Sequence, residues 1–135
     1  MKNNNPPKIL IVEDNSCAAI CMKAILFKLG YLITHIVASG QEAVDIARNS
    51  RPDLILMDIN LCGEMDGITA YERIRETVDI PVVYVSAYTD EYVFARANQT
   101  KPSGYIIKPY SVTELITGIE KALLGNDYIE EKKQQ

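Results

Sequence analysis

Five short apolar, β-branched-rich runs punctuate the chain: KILIV (8–12), YLITHIVA (31–38), DLILM (53–57), PVVYV (81–85) and GYIIK (104–108). Four of them hardly alternate apolar with polar residues, the pattern of strands covered on both faces of their sheet. The segments between them carry helix punctuation. SCAAICMKAILFKLG runs from a serine cap to a terminal glycine, and SGQEAVDIARN opens on Ser39 with Glu42 at the capping-box spacing. MDGITAYERIRETV, TDEYVFARANQT and SVTELITGIEKALLG follow, the last with Ser111 ahead of Glu114. Strict alternation of strand and helix calls for a parallel sheet, and right-handed crossovers put helices on both of its faces. The expectation is therefore an α/β fold, a single doubly wound, five-stranded parallel sheet in a (βα)5 sandwich.

At 135 residues the chain has the length of one domain, with a core that hides about two-thirds of the surface of the unfolded chain. That domain is expected over residues 8–124, after a loose lead over 1–7 and before a polar tail over 125–135 able to extend the last helix. A net charge of -4 and the lack of a basic stripe argue against a nucleic-acid partner held through its phosphates. The apolar runs stop well short of the ~18 residues a membrane span needs. MKNNNPPK lacks the apolar core of a secretory leader, so a cytoplasmic protein with no membrane partner is expected. Cys17, Cys21 and Cys62 are odd in number and lack metal spacing, which reads as reduced thiols. His35, alone in its strand, reads as structural, and EEKK in the tail as a solvated face.

In open α/β sheets the functional crevice lies beyond the carboxyl ends of the strands. The residues there are Glu13 and Asp14 after the first run, Asp58 after the third, Ser86 after the fourth, and Lys108 with Pro109 at the end of the fifth. The second run ends in ASG, with nothing ionisable. This pattern predicts the strand order 2-1-3-4-5, with the second strand at the edge and the others converging on one pocket. Clustered carboxylates raise one another's pKa unless a cation neutralises them. Oxygen-only donors with room for water and phosphate oxygens favour Mg²⁺, with Mn²⁺ able to substitute. A carboxylate in such a pocket is a nucleophile for phosphoryl transfer, with Lys108 as fixed positive charge and Ser86 as a donor to a phosphoryl oxygen.

The segments VEDN, LILMDIN, MDGI, VVYVSAY and GYIIKPY strongly resemble the receiver domain of two-component response regulators, over about residues 8 to 124. The resemblance implies the flavodoxin-like form of the sandwich and a signalling domain that phosphorylates itself and dephosphorylates itself, rather than a turnover enzyme. It makes Asp58 the phosphoacceptor, Glu13 and Asp14 the acid pair that organises Mg²⁺ with Asp58, and Asn60 the donor of a backbone carbonyl to the metal. Ser86 becomes the switch hydroxyl, Lys108 the phosphate contact, Pro109 a cis proline, and Tyr105 an aromatic switch that turns inward on phosphorylation. Asn60 and Tyr88 would flank the path of the attacking water and tune the phosphoryl lifetime.

The implied donor is a histidine kinase or histidine phosphotransfer protein, met by the start of the first helix and the loop after Pro109. The fourth helix, fifth strand and fifth helix, with Asp90, Glu91 and Arg96, would form the surface for an unknown output partner or for a homodimer. LCGEMDG is one residue longer than the common MPxMDG and lacks its proline. In this the chain resembles a subgroup with LxGxMDGI found beside sensor kinases that carry PAS modules. Three readings compete with the switch. A receiver that acts only by docking would not need the intact acid set. A flavodoxin-type cofactor binder would need a phosphate cradle where Glu13 and Asp14 stand. A haloacid-type phosphatase would need a DxD after an early strand, which is not there.

Overall fold

The computed structural model describes residues 5–87 and 90–125. Strand and helix alternate as β1 (Lys8–Val12), α1 (Ser16–Lys28), β2 (Leu32–Val37), α2 (Gly40–Ser50), β3 (Leu54–Met57), α3 (Gly67–Arg75), β4 (Val82–Ser86), α4 (Glu91–Gln99), β5 (Gly104–Ile107) and α5 (Val112–Leu124). The strands form one sheet in the order β2-β1-β3-β4-β5, and every pairing is parallel. This is the flavodoxin-like architecture the sequence predicts.

The unbroken apolar runs follow from two separate cores. Leu10, Val12, Ile55, Met57, Val82 and Tyr84 pack with α2 and α3 through Val44, Ala47, Ile68, Tyr71 and Ile74. The intervening residues Ile9, Ile11, Leu54, Leu56, Val83 and Val85 pack with α1 and α5 through Met22, Leu26, Leu115 and Ile119. Successive residues of a strand point to opposite faces, so each central strand must be apolar throughout. β2 has a neighbour on one side only, and it leaves Leu32 and Ile36 partly exposed. Its register against β1 steps from Ile9↔Ile33 to Leu10↔His35, so Thr34 is an extra residue at a bulge, a common feature of sheet edges.

The helix ends are set by side chains, with two departures from the sequence reading. The cap of α1 is Asn15 rather than Ser16: its Oδ1 accepts the Ala18 N–H at 3.0 Å. Asn15 holds the extended conformation a cap requires, which leaves Ser16 as the first helical residue. At the other end Gly30, at φ 92°, donates to Phe27 O and Tyr31 donates to Leu26 O, each at 3.1 Å, a Schellman closure. At α2 the Glu42 N–H reaches Ser39 Oγ at 3.2 Å, but the Glu42 carboxylate accepts from the Ser39 hydroxyl at 2.9 Å instead of from the Ser39 N–H. The reciprocal box closes fully only at Ser111 and Glu114 of α5. Among the described residues no helix is long and apolar enough to cross a membrane.

α4 is attached differently from its neighbours. Of its residues only Ala97 is buried. Its C-cap Thr100 is held instead: Thr100 Oγ1 donates to Ala97 O at 2.5 Å, lies 2.8 Å from Tyr84 Oη, and the Thr100 carbonyl accepts from the Arg75 guanidinium. Tyr84 is fully buried, and burial pushes its phenol pKa well up, so the hydroxyl stays protonated. Replacing Tyr84 by Phe removes this one bond while Thr100 keeps Ala97 O as its acceptor. Urea unfolding of Tyr84→Phe should show a loss of about 1 kcal/mol, and unchanged stability would mean that Tyr84 does not hold the end of α4.

Candidate functional site

The backbone at the carboxyl edge of the sheet is stitched one residue past the strands. Glu13 N–H donates to Val37 O at 2.9 Å, Asp58 N–H to Val12 O at 2.9 Å, and Lys108 N–H to Ser86 O at 3.0 Å. The residues just beyond β1, β3 and β5 are therefore placed by the same ladder that aligns the strands. Ser86 is itself the last residue of β4 rather than the first beyond it.

Glu13 and Asp58 are 6% and 8% exposed, and two carboxylates so far out of water require a cation. Lys108 Nζ provides it, donating to Glu13 Oε1 and to Asp58 Oδ2, the latter at 3.1 Å. Burial works against the Lys108 ammonium, but the hydrogen bond to Glu13 and the charge of Asp58 outweigh it and hold its pKa above the ordinary lysine value. The remaining oxygens are also met: Asn15 N–H donates to Glu13 Oε2 at 3.2 Å, and Asn60 N–H donates to Asp58 Oδ1 at 3.3 Å. Asn60 thus meets Asp58 through its backbone N–H. Asp14 stands exposed beside them, and one oxygen from each of Glu13, Asp14 and Asp58 lies within 4.8 Å of the others. One lysine against three carboxylates leaves negative charge uncompensated. This oxygen-only donor set fits a hard divalent cation such as Mg²⁺.

Ser86 is fully buried. Burial raises the Tyr105 phenol pKa, a hydrogen bond with the Ser86 side chain opposes that rise, and the Asp58 charge adds to it. The Tyr105 ring packs between Tyr84 and Phe94, with centroid distances of 6.0 Å and 5.0 Å. The resemblance implies that Tyr105 turns inward on phosphorylation. Here the Tyr105 ring is half-buried between those two rings. The Lys108–Pro109 peptide bond is cis. Tyr88 and residues 126–135, which include EEKK, lie outside the described residues.

The lengthened loop after β3 lies against the turn between β2 and α2. The Cys62 thiol donates to Ala38 O at 3.2 Å, and Cys62 forms an isolated parallel bridge with Ser39. Gly63 turns the chain at φ 91°. Met65 then lies against Gly40, where a Cβ would stand 3.0 Å from Met65 Cγ. Gly67 brings the loop back: its N–H donates to Ile59 O at 2.8 Å, and a Cβ there would stand 2.1 Å from the Asp58 carbonyl oxygen. Asp66 caps α3, with Oδ1 on the Thr69 N–H at 2.8 Å and Oδ2 on Arg96 of α4 at 3.0 Å. Burial alone would raise the Asp66 pKa, but the Thr69 N–H and the Arg96 guanidinium together lower it. Cys17, Cys21 and Cys62 are free and exposed.

The sequence brings Glu13, Asp14, Asp58, Ser86 and Lys108 to one place. It does not show the reach of Arg96 to Asp66, since no local pattern pairs residues 30 apart on different helices. The one available signal is chemical, a cap aspartate with a second carboxylate oxygen to satisfy.

The chain belongs to the family of response regulator receiver domains, whose model matches residues 9–120. It is 33% identical over 118 residues to the transcriptional regulatory protein PdtaR of Mycobacterium tuberculosis, across 87% of this chain and 57% of that one. The receiver domain of a modulated diguanylate cyclase from Desulfovibrio desulfuricans superposes with a TM-score of 0.82 at 34% identity, covering 96% of this chain and 99% of that one. The receiver domain of a sensor histidine kinase from Pseudomonas aeruginosa, solved with a magnesium ion coordinated in its active site cleft, gives 0.81 at 31% identity, covering 89% and 99%. The chain spans about half the length of the curated relatives it matches, from 43% to 57%. As a receiver domain it is a signalling module of two-component systems, a class that binds Mg²⁺ at an acidic pocket and is served by phosphodonor kinases.

Two substitutions test the geometry. Alanine favours the first turn of a helix, so any loss in Gly67→Ala reports the collision with Asp58; thermal or urea unfolding should show about 1–3 kcal/mol of destabilisation. Asp14→Asn removes one of three like charges without uncovering apolar surface. It should raise the metal-free melting temperature by a few degrees and shrink the further rise that Mg²⁺ produces in wild type. A variant that melts below wild type and responds fully to Mg²⁺ would contradict this account of the cluster.

Proposed function

We propose that this receiver is a phosphoacceptor switch in which Asp58 takes a phosphoryl group from a phosphohistidine on a histidine kinase or phosphotransfer protein. The observation that carries the reading is the Asp58 carboxylate, nearly buried at the end of a central strand, with one oxygen on Lys108 and the other on the Asn60 N–H. Held in this way, the carboxylate presents its lone pairs at a fixed position. In the transfer an Asp58 oxygen attacks phosphorus, the P–N bond to the donor imidazole breaks, and the imidazole leaves with the bonding electrons and takes up a proton.

Glu13, Asp14 and Asp58 would hold Mg²⁺, which supplies positive charge against the equatorial oxygens of the transferring group. Lys108 already lies against Asp58 and can follow the new charge onto a phosphoryl oxygen. The Ser86 hydroxyl, at the end of β4, can donate to another. Phosphorylation replaces the single charge of the Asp58 carboxylate by the roughly -1.5 to -2 of a phosphoryl group, in a pocket where one lysine already faces three acids. The pairing of Lys108 with Glu13 is then open to rearrangement, and the readout falls on α4, β5 and α5. This would be a population shift between states of the same fold. An apolar recess lined by Ala18, Cys21, Met22, Pro109 and Tyr110 opens beside Glu13 and Lys108, in keeping with a donor helix approaching between α1 and the turn before α5.

Acetyl phosphate with Mg²⁺ should place one acid-labile phosphoryl group on wild type, seen by intact mass or phosphate-affinity electrophoresis. Chelation of the metal should suppress it, and Asp58→Asn should lower it to background. Equal modification of Asp58→Asn would remove Asp58 as the acceptor.

A further inference from the structure

If Asp58 is the phosphoacceptor proposed above, the way α4 is held bears on how the modified state is reached. The far end of α4 is fixed by Thr100, which is 4% exposed and bonded at once to Ala97 O, Tyr84 and Arg75. The body of the helix buries only Ala97 and adds the half-buried Val93 and the exposed Phe94 ring against Tyr105, a thin apolar contact that leaves its angle to polar ties. Partway along it, Arg96 Nη1 donates to Asp66 Oδ2 at 3.0 Å. Asp66 is no ordinary surface acid. It caps α3 through its other oxygen, and the next residue, Gly67, lies directly against the Asp58 carbonyl with its N–H on Ile59 O. A displacement of the Asp58 backbone therefore reaches Asp66 without slack, and a rotation of α4 about Thr100 reaches Arg96.

We propose that Arg96 is a positioning residue, a latch that holds α4 to the loop behind Asp58 in the unmodified state and releases when a phosphoryl group occupies the pocket. The direction follows from the attachment. Ser86 precedes the cap of α4, Asp90, by four residues, so drawing Ser86 toward a phosphoryl oxygen pulls the near end of the helix. The far end stays bonded to Tyr84 and Arg75. A lever pulled at one end and fixed at the other carries Arg96 across Asp66, and a monodentate contact cannot follow such a swing. The side chains of Arg96 and Asp66 are 32% and 33% exposed, which keeps the pair weak enough to open.

Beryllofluoride, a stable stand-in for the phosphoryl group, provides the test. Arg96→Met keeps the stem of the side chain and loses the charge. Asp66→Asn loses the charge and keeps the cap, because an asparagine oxygen accepts the Thr69 N–H equally well. Each should bind beryllofluoride with Mg²⁺ about 1.5- to 5-fold more tightly than wild type, the range set by a partly exposed ion pair. The double variant should gain no more than either single one, since both remove the same contact. A purely structural role would lower the melting temperature and leave these affinities alone. Unchanged affinities, additive gains or weaker binding would each overturn the latch. Failure of wild type itself to bind beryllofluoride would instead remove the phosphoacceptor reading, and the latch with it.

Discussion

The contact on which the site depends is the Lys108 ammonium lying between Glu13 and Asp58. It joins the ends of β1, β3 and β5, and in the order β2-β1-β3-β4-β5 it reaches from the last strand to the third and the second. Two carboxylates below a tenth exposed have little water around them, and its positive charge takes that place. One lysine still does not balance three acids. The fold therefore carries a standing electrostatic deficit at one edge, which a divalent cation would relieve and a phosphoryl group would deepen. The same imbalance that costs stability makes the pocket responsive.

The architecture was legible because the two cores demand it. A strand packed against α2 and α3 through one residue and against α1 and α5 through the next has to be apolar at both, and the runs at β1, β3 and β4 say so directly. The site was legible for a related reason: a parallel sheet gathers its carboxyl ends, so the residues just after each run are neighbours in space however far apart they lie in sequence. Finer features escaped. Asn15 and Ser16 are both good caps, and only the backbone angle of Asn15 decides between them. The course of the loop after β3 depends on Cys62 meeting Ala38 and on Met65 meeting Gly40, contacts with no periodicity to betray them.

Gly67 shows how that loop can be long without loosening the site. The extra residue is accommodated at Gly63, where φ is 91°, and the slack lies against the β2–α2 turn. By Gly67 the chain is again so close to the Asp58 carbonyl that no side chain fits. Both flanks of Asp58 are in this way fixed by backbone: the β1 ladder through Val12 O before it and the α3 start behind it.

The aromatic side chains continue the same face of the sheet toward β5. Tyr71 meets Tyr84 edge to face at 6.1 Å, Tyr84 meets Tyr105, and Tyr105 meets Phe94. The line runs from α3 through β4 and β5 to α4, from a buried ring at Tyr71 to one at Phe94 that is 43% exposed. Movement is resisted at the buried end, where Tyr84 is both packed and hydrogen-bonded to Thr100. At the other end Tyr105 is half-buried and Phe94 is exposed. The line is therefore held firmly near the core and loosely at α4, so that α4 can shift against β5 at lower cost than the sheet itself can deform.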